Sequence, residues 1–105
     1  MITNINLTDV NGTSFHNQTI RFTFNELKIA LGKPDYTDFS GDKVSAEWSL
    51  RINDIPISVY DWKEYDRTPV NFQDTYFEWH IGSHSELPMK CLVELREFIQ
   101  DKILK

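Results

Sequence analysis

The chain has 105 residues with eleven basic and sixteen acidic side chains, a net charge of −5. That length suits one domain with a core that needs neither disulfide nor metal. A 40% hydrophobic and 13% aromatic share excludes disorder, and the acidic balance excludes a non-specific nucleic-acid binder, which needs a basic stripe.

Residues 1–22 are polar with scattered Ile5, Leu7, Val10, Phe15, Ile20 and Phe22. Asn11-Gly12 is a turn dipeptide, so a loose hairpin is the expectation there. Three Asn-x-Thr triplets begin at Asn6, Asn11 and Asn17; without a secretory leader they read as by-products of an Asn- and Thr-rich segment. Thr23-Phe24-Asn25-Glu26 fits a capping box, in which the Thr hydroxyl and the Glu carboxylate satisfy each other's backbone amides. Phe24, Leu27, Ala30 and Leu31 then share one helical face, and Gly32 with Pro34 ends the helix.

Asp35 to Asp42 reads as a polar loop. From Lys43 to Ile52 the alternation is complete, with Val44, Ala46, Trp48, Leu50 and Ile52 on one side, which predicts a half-buried strand. Asn53-Asp54 suits a two-residue turn, and Ile55, Ile57 and Val59 continue the pattern. That turn pairs Ile52 with Ile55, Leu50 with Ile57, Trp48 with Val59 and Ala46 with Asp61. Asp61 thereby falls on the buried face. Two accounts stay open for it: a buried carboxylate served by Lys63, or a cap at a fraying strand end.

Glu64 to Thr75 is a charged connection. Phe77, Trp79 and Ile81 alternate with Tyr76, Glu78 and His80 as a third strand, which Gly82 is expected to break. Ser85 is taken to begin the last helix, with Pro88 in its first turn and Leu92, Leu95, Phe98, Ile99 and Ile103 as its stripe. Cys91, the only cysteine, excludes an internal disulfide and a Cys-based zinc centre, and reads as a buried thiol. The expected fold is α+β: a short helix, a three-stranded antiparallel sheet with room for a fourth or fifth strand, and a C-terminal amphipathic helix packed on one face. No stretch nears the roughly 20 apolar residues that span a membrane, so the expectation is a cytoplasmic chain.

The opposite sheet face gathers the candidate binding residues Glu47, Tyr60, Trp62, Tyr76, Glu78 and His80. Tyr and Trp are rigid, amphipathic rings suited to recognition surfaces. The competing account folds residues 1–22 across this face as a second small core, and a partial cover would leave a groove. His80 and His84 lack the spacing of a zinc motif, and no nucleophile elbow or phosphate loop is present, so neither metal, cofactor nor catalysis is expected.

Asp42-Lys43-Val44 through Trp48, Tyr60-Asp61-Trp62-Lys63-Glu64-Tyr65 and Glu78-Trp79-His80-Ile81-Gly82 resemble a group of small accessory proteins of bacteriophages and other large DNA viruses. The resemblance covers residues 27–84 and implies no catalytic residue. It implies a protein that binds a host or viral protein, or sequesters a small molecule. The leading expectation is therefore a non-enzymatic inhibitor or modulator acting by protein contact. The alternatives are a small-molecule or nucleotide-binding protein, sequestering or hydrolytic, and a structural homodimer.

Overall fold

The structure, a computed structural model, describes residues 2–38, 46–62 and 74–104. In chain order these form β1 (Ile2–Asn4), a 3-10 turn (Leu7–Val10), β2 (Ser14–Thr23), α1 (Phe24–Leu31) and β3 (Tyr36–Thr37). They continue as β4 (Ala46–Ile52), β5 (Ile55–Tyr60), β6 (Tyr76–Ser83) and α2 (Met89–Leu104). The α+β class and the C-terminal helix are as expected. The three-strand count is too low: the described residues make a six-stranded sheet in the order β1-β4-β5-β6-β2, with β3 also on β4, and its pairings are antiparallel.

The central hairpin follows the predicted register, from Ile52↔Ile55 through Leu50↔Ile57 to Trp48↔Val59. Its turn residues Asn53 and Asp54 both have positive φ, 50° and 73°, the primed geometry that matches strand twist. Beyond Glu47↔Tyr60 the Asp61 side chain takes over the ladder: Oδ1 accepts from the Ala46 amide at 2.9 Å. Asp61 is thus both buried and a strand-end cap. Lys43 to Ser45, Lys63 and most of the Glu64–Thr75 connection lie outside the described residues.

The outer edge of β4 is shared. Asn4 pairs with Leu50 and Tyr36 with Glu47, leaving a gap at Ser49. There Ser49 donates its amide to Asp35 Oδ2 at 2.7 Å, while the Ile5 amide donates to its carbonyl at 3.0 Å. The predicted loop from Asp35 therefore contains a two-residue strand, tied down by a carboxylate that stands in for backbone.

The other edge strand, β2, replaces the expected loose hairpin. It pairs with β6 from Ser14↔Ser83 to Thr23↔Tyr76, with an irregularity between Phe15↔Gly82 and Thr19↔His80. Four residue steps on β2 face two on β6, so two extra residues bulge out, and Asn17 has φ 62°. The bulge turns Gln18 inward, where its amide clasps Leu87: Nε2 donates to the carbonyl at 3.0 Å and Oε1 accepts from the amide at 2.8 Å.

α1 and α2 cover one sheet face. The capping box is formed, Glu26 amide to Thr23 Oγ1 at 3.0 Å and Thr23 amide to Glu26 Oε1 at 2.9 Å. Gly32, at φ 83°, closes the helix by donating its amide to Lys28. α2 starts at Met89 rather than Ser85, because the Pro88 carbonyl accepts the first helical bonds, from Cys91 and Leu92. Pro88 precedes the helix instead of lying in its first turn. One core draws residues from Ile20 to Ile99; Phe98 and Ile103 pack at its margin and Cys91 is buried. At its centre Trp48 and Trp79 meet edge-to-face at 5.6 Å. Their indole N–H groups donate to Gly32 and Phe22 carbonyls, each at 2.9 Å, so neither ring buries an unmet donor.

Candidate functional site

Strand register decides what the second sheet face presents. Tyr36↔Glu47, Glu47↔Tyr60, Tyr60↔His80 and His80↔Thr19 make one row across five strands. Directly paired side chains share a face at roughly 5 Å, so this row is continuous. The adjoining row is small: Ser49↔Ser58↔Gly82, ending on Phe15. A tall polar-aromatic row beside a low one makes a step in the sheet surface.

The N-terminal segment sits on that step. The 3-10 turn packs against β4 and β5, burying Val10, Ser49 and Ser58. The Val10 carbonyl accepts from both the amide and hydroxyl of Thr13, at 3.1 and 2.7 Å, which fixes the Asn11-Gly12 turn as a wall. Gly12 has φ 85° and abuts the His84 ring. Gly82, expected to break β6, lies inside it; a Cβ there would stand 2.5 Å from Ser58 Oγ, so the position stays bare to let the serine close. Between the wall and the tall row lies a cleft of about 440 Å³, bounded by Asn11, Gly12, Thr13, Glu47, Tyr60 and Trp62.

The N-terminal residues therefore cover one half of this face and leave a groove over the other. His80 is at the covered margin. Phe15 stacks on it at 4.0 Å and 14°, Trp62 lies nearly parallel at 6.4 Å, and Tyr60 meets it edge-on at 5.5 Å. Burial among these rings lowers the His80 pKa, against the opposing pull of the Asp61 and Glu78 charges. Tyr60 and Trp62 stand at 81° with centroids 6.4 Å apart, forming a corner, and Trp62 is 39% exposed.

Glu47 is half-buried beside that corner. Its carboxyl pKa is raised, first by desolvation and then by the Asp35 charge; the Tyr60 hydroxyl is raised by desolvation and then by Glu47. Among the described residues the Glu47 carboxylate has no side-chain hydrogen bond or ion pair, its backbone carbonyl accepting from the Asp35 amide at 2.9 Å, and no cationic side chain lines the cleft.

The other two candidates belong elsewhere. Glu78 accepts from the Thr19 hydroxyl at 2.7 Å and faces Arg21 at 3.8 Å, an exposed pair worth about 0–1 kcal/mol. Tyr76 is four residues from His80 along β6, about 13 Å away, with Arg21 over its ring at 6.0 Å. The sequence-based set missed the wall from Asn11 to Thr13 and Phe15; of these only the Asn-Gly dipeptide carries a local signal.

Among the described residues no group of three or more His, Cys, Asp or Glu side chains is placed to hold a metal, and no helix is long and apolar enough to cross a membrane. Comparison with protein-family models, curated proteins and solved structures finds no match.

Proposed function

We propose that this is a non-enzymatic binding protein that engages a protein partner through the cleft beside Trp62. The observation that carries the reading is the half-open placement of Trp62 and Tyr60 against a concave backbone wall. Rigid aromatic rings at the centre of a water-excluding rim are the usual anchors of a partner surface. The resemblance to phage and viral accessory proteins supports the finer reading, an inhibitor or modulator of a host factor in the host cytoplasm.

A small-molecule or nucleotide ligand is the second reading, favoured by a cleft volume of about 440 Å³, which falls within the range of ligand pockets. The test is affinity capture from extracts of the encoding organism and its host, with wild type, Trp62→Ala, Tyr60→Ala and Ile29→Ser, the last on the helix layer. A protein retained by wild type and Ile29→Ser but lost by both cleft variants supports the proposal. Equal retention by all four, or loss only with Ile29→Ser, overturns it. A small metabolite co-purifying in place of a protein transfers the site to the second reading, and self-association through Trp62 transfers it to a homodimer.

A further inference from the structure

Resting on that reading, we infer that the cleft takes a cationic ammonium group, presented as a lysine side chain of the protein partner. Three features of the site converge on this chemistry. Tyr60 and Trp62 set two ring planes at 81°, and a cation within about 6 Å of such rings is attracted by their quadrupoles. Glu47, paired across the strands with Tyr60, brings a carboxylate to the same corner. The remaining wall of Asn11, Gly12 and Thr13 is uncharged and offers backbone and hydroxyl oxygens to N–H donors.

The electrostatics agree in sign. Asp35 lies close enough to Glu47 to act on it as a second negative charge, and the whole chain carries −5. A buried-edge carboxylate next to another anion is costly when ionised, and an arriving ammonium removes that cost while filling the aromatic corner. An anionic ligand would face the same two carboxylates as repulsion. A lysine head is a compact point charge with three rotatable donors, so one group can face Glu47, the rings and the Asn11–Thr13 wall together.

The experiment uses the intact protein and five capped tripeptides, Gly-X-Gly, with X as lysine, trimethyllysine, acetyllysine, norleucine or glutamate, plus free tetramethylammonium chloride. Binding is read from amide chemical-shift changes at Gly12, Glu47, Tyr60 and Trp62. Expected is saturable binding of the lysine and trimethyllysine peptides, weakened at least about tenfold by acetylation or norleucine and by Glu47→Gln, as loss of a desolvated charge contact implies. A spectrum of Glu47→Gln otherwise like wild type separates lost binding from lost fold, and Glu47→Asp should restore part of the affinity.

Equal or tighter binding of the norleucine or glutamate peptide at the same residues would overturn the cation inference while leaving the cleft as a partner site. No shift at those residues with any probe would overturn it too, and the capture experiment would then decide the partner reading alone. Free tetramethylammonium binding as tightly as the trimethyllysine peptide would overturn the protein-borne source in favour of a free amine.

Discussion

At Gly82 a single missing methyl group decides how closely two strands and a turn can approach. Its absent Cβ would meet Ser58 Oγ at 2.5 Å and Thr13 Oγ1 and Tyr60 Cε1 at 3.4 Å. Gly82→Ala should lower stability by about 1–3 kcal/mol, the usual cost of overpacking. Because the nearest atom is a hydroxyl, adding Ser58→Ala should recover most of that loss. Denaturant titrations of the two variants check the coupling, and additive losses would count against it.

His80 and Glu47 should pull stability in opposite directions with pH. The lowered His80 pKa means that the unfolded chain binds the proton more readily. Its contribution is present above about 6.5 and lost as pH falls through the folded value. His80→Phe keeps a ring under Phe15 and should abolish that acid-side loss. The raised Glu47 carboxyl acts the other way: its contribution is full below the unfolded value near 4.5 and lost as pH rises through the folded one. Glu47→Gln should therefore melt higher than wild type at neutral pH. A carboxylate held at a cost in stability is what a functional site commonly shows, which fits the role proposed for Glu47.

Among the elements, what was legible in the sequence follows from how much each one buries. The β4–β5 hairpin alternates without error because its inner face is wholly apolar, and its turn carries the residues that primed geometry favours. The capping box is local chemistry and reads directly. β2 does not read as a strand: it is an edge, its alternation is broken by the bulge at Asn17, and its inward polar residue Gln18 is matched to a partner 69 positions away. β1 and β3, with three and two residues, are too short to carry a period. The row of Glu47, Tyr60 and His80 followed from register, whereas the opposing wall depends on where a turn lands, which no local pattern encodes. Gln18→Ala tests the element that was missed. It strands the Leu87 amide and carbonyl, at about 1–3 kcal/mol for each group left unmet, and should speed hydrogen exchange at Leu87 before the core.

For the whole molecule, the two faces of one sheet differ in how they are covered, and the proposed partner cleft lies on the less covered one. The helix-covered face holds a continuous core from Ile20 to Ile99, while Val10 is buried on the other face, outside that cluster. Trp48 and Trp62 mark the contrast: the first is fully buried between α1 and β6, the second 39% exposed at the cleft. Trp48→Ala should cost about 3–5 kcal/mol, a large part of the 5–15 kcal/mol typical of a domain, and leave the Gly32 carbonyl without its indole donor. Among the described residues Trp62 makes wide contacts with His80 and Tyr60, aromatic pairs of about 0.5–1.5 kcal/mol each, and it stays 39% exposed, so Trp62→Ala should cost less than Trp48→Ala. Thermal melts of both variants, followed by circular dichroism, check that order. A Trp62→Ala loss as large as that of Trp48→Ala would make the second face a structural core, and a near-native Trp48→Ala would overturn the packing of α1 on the sheet.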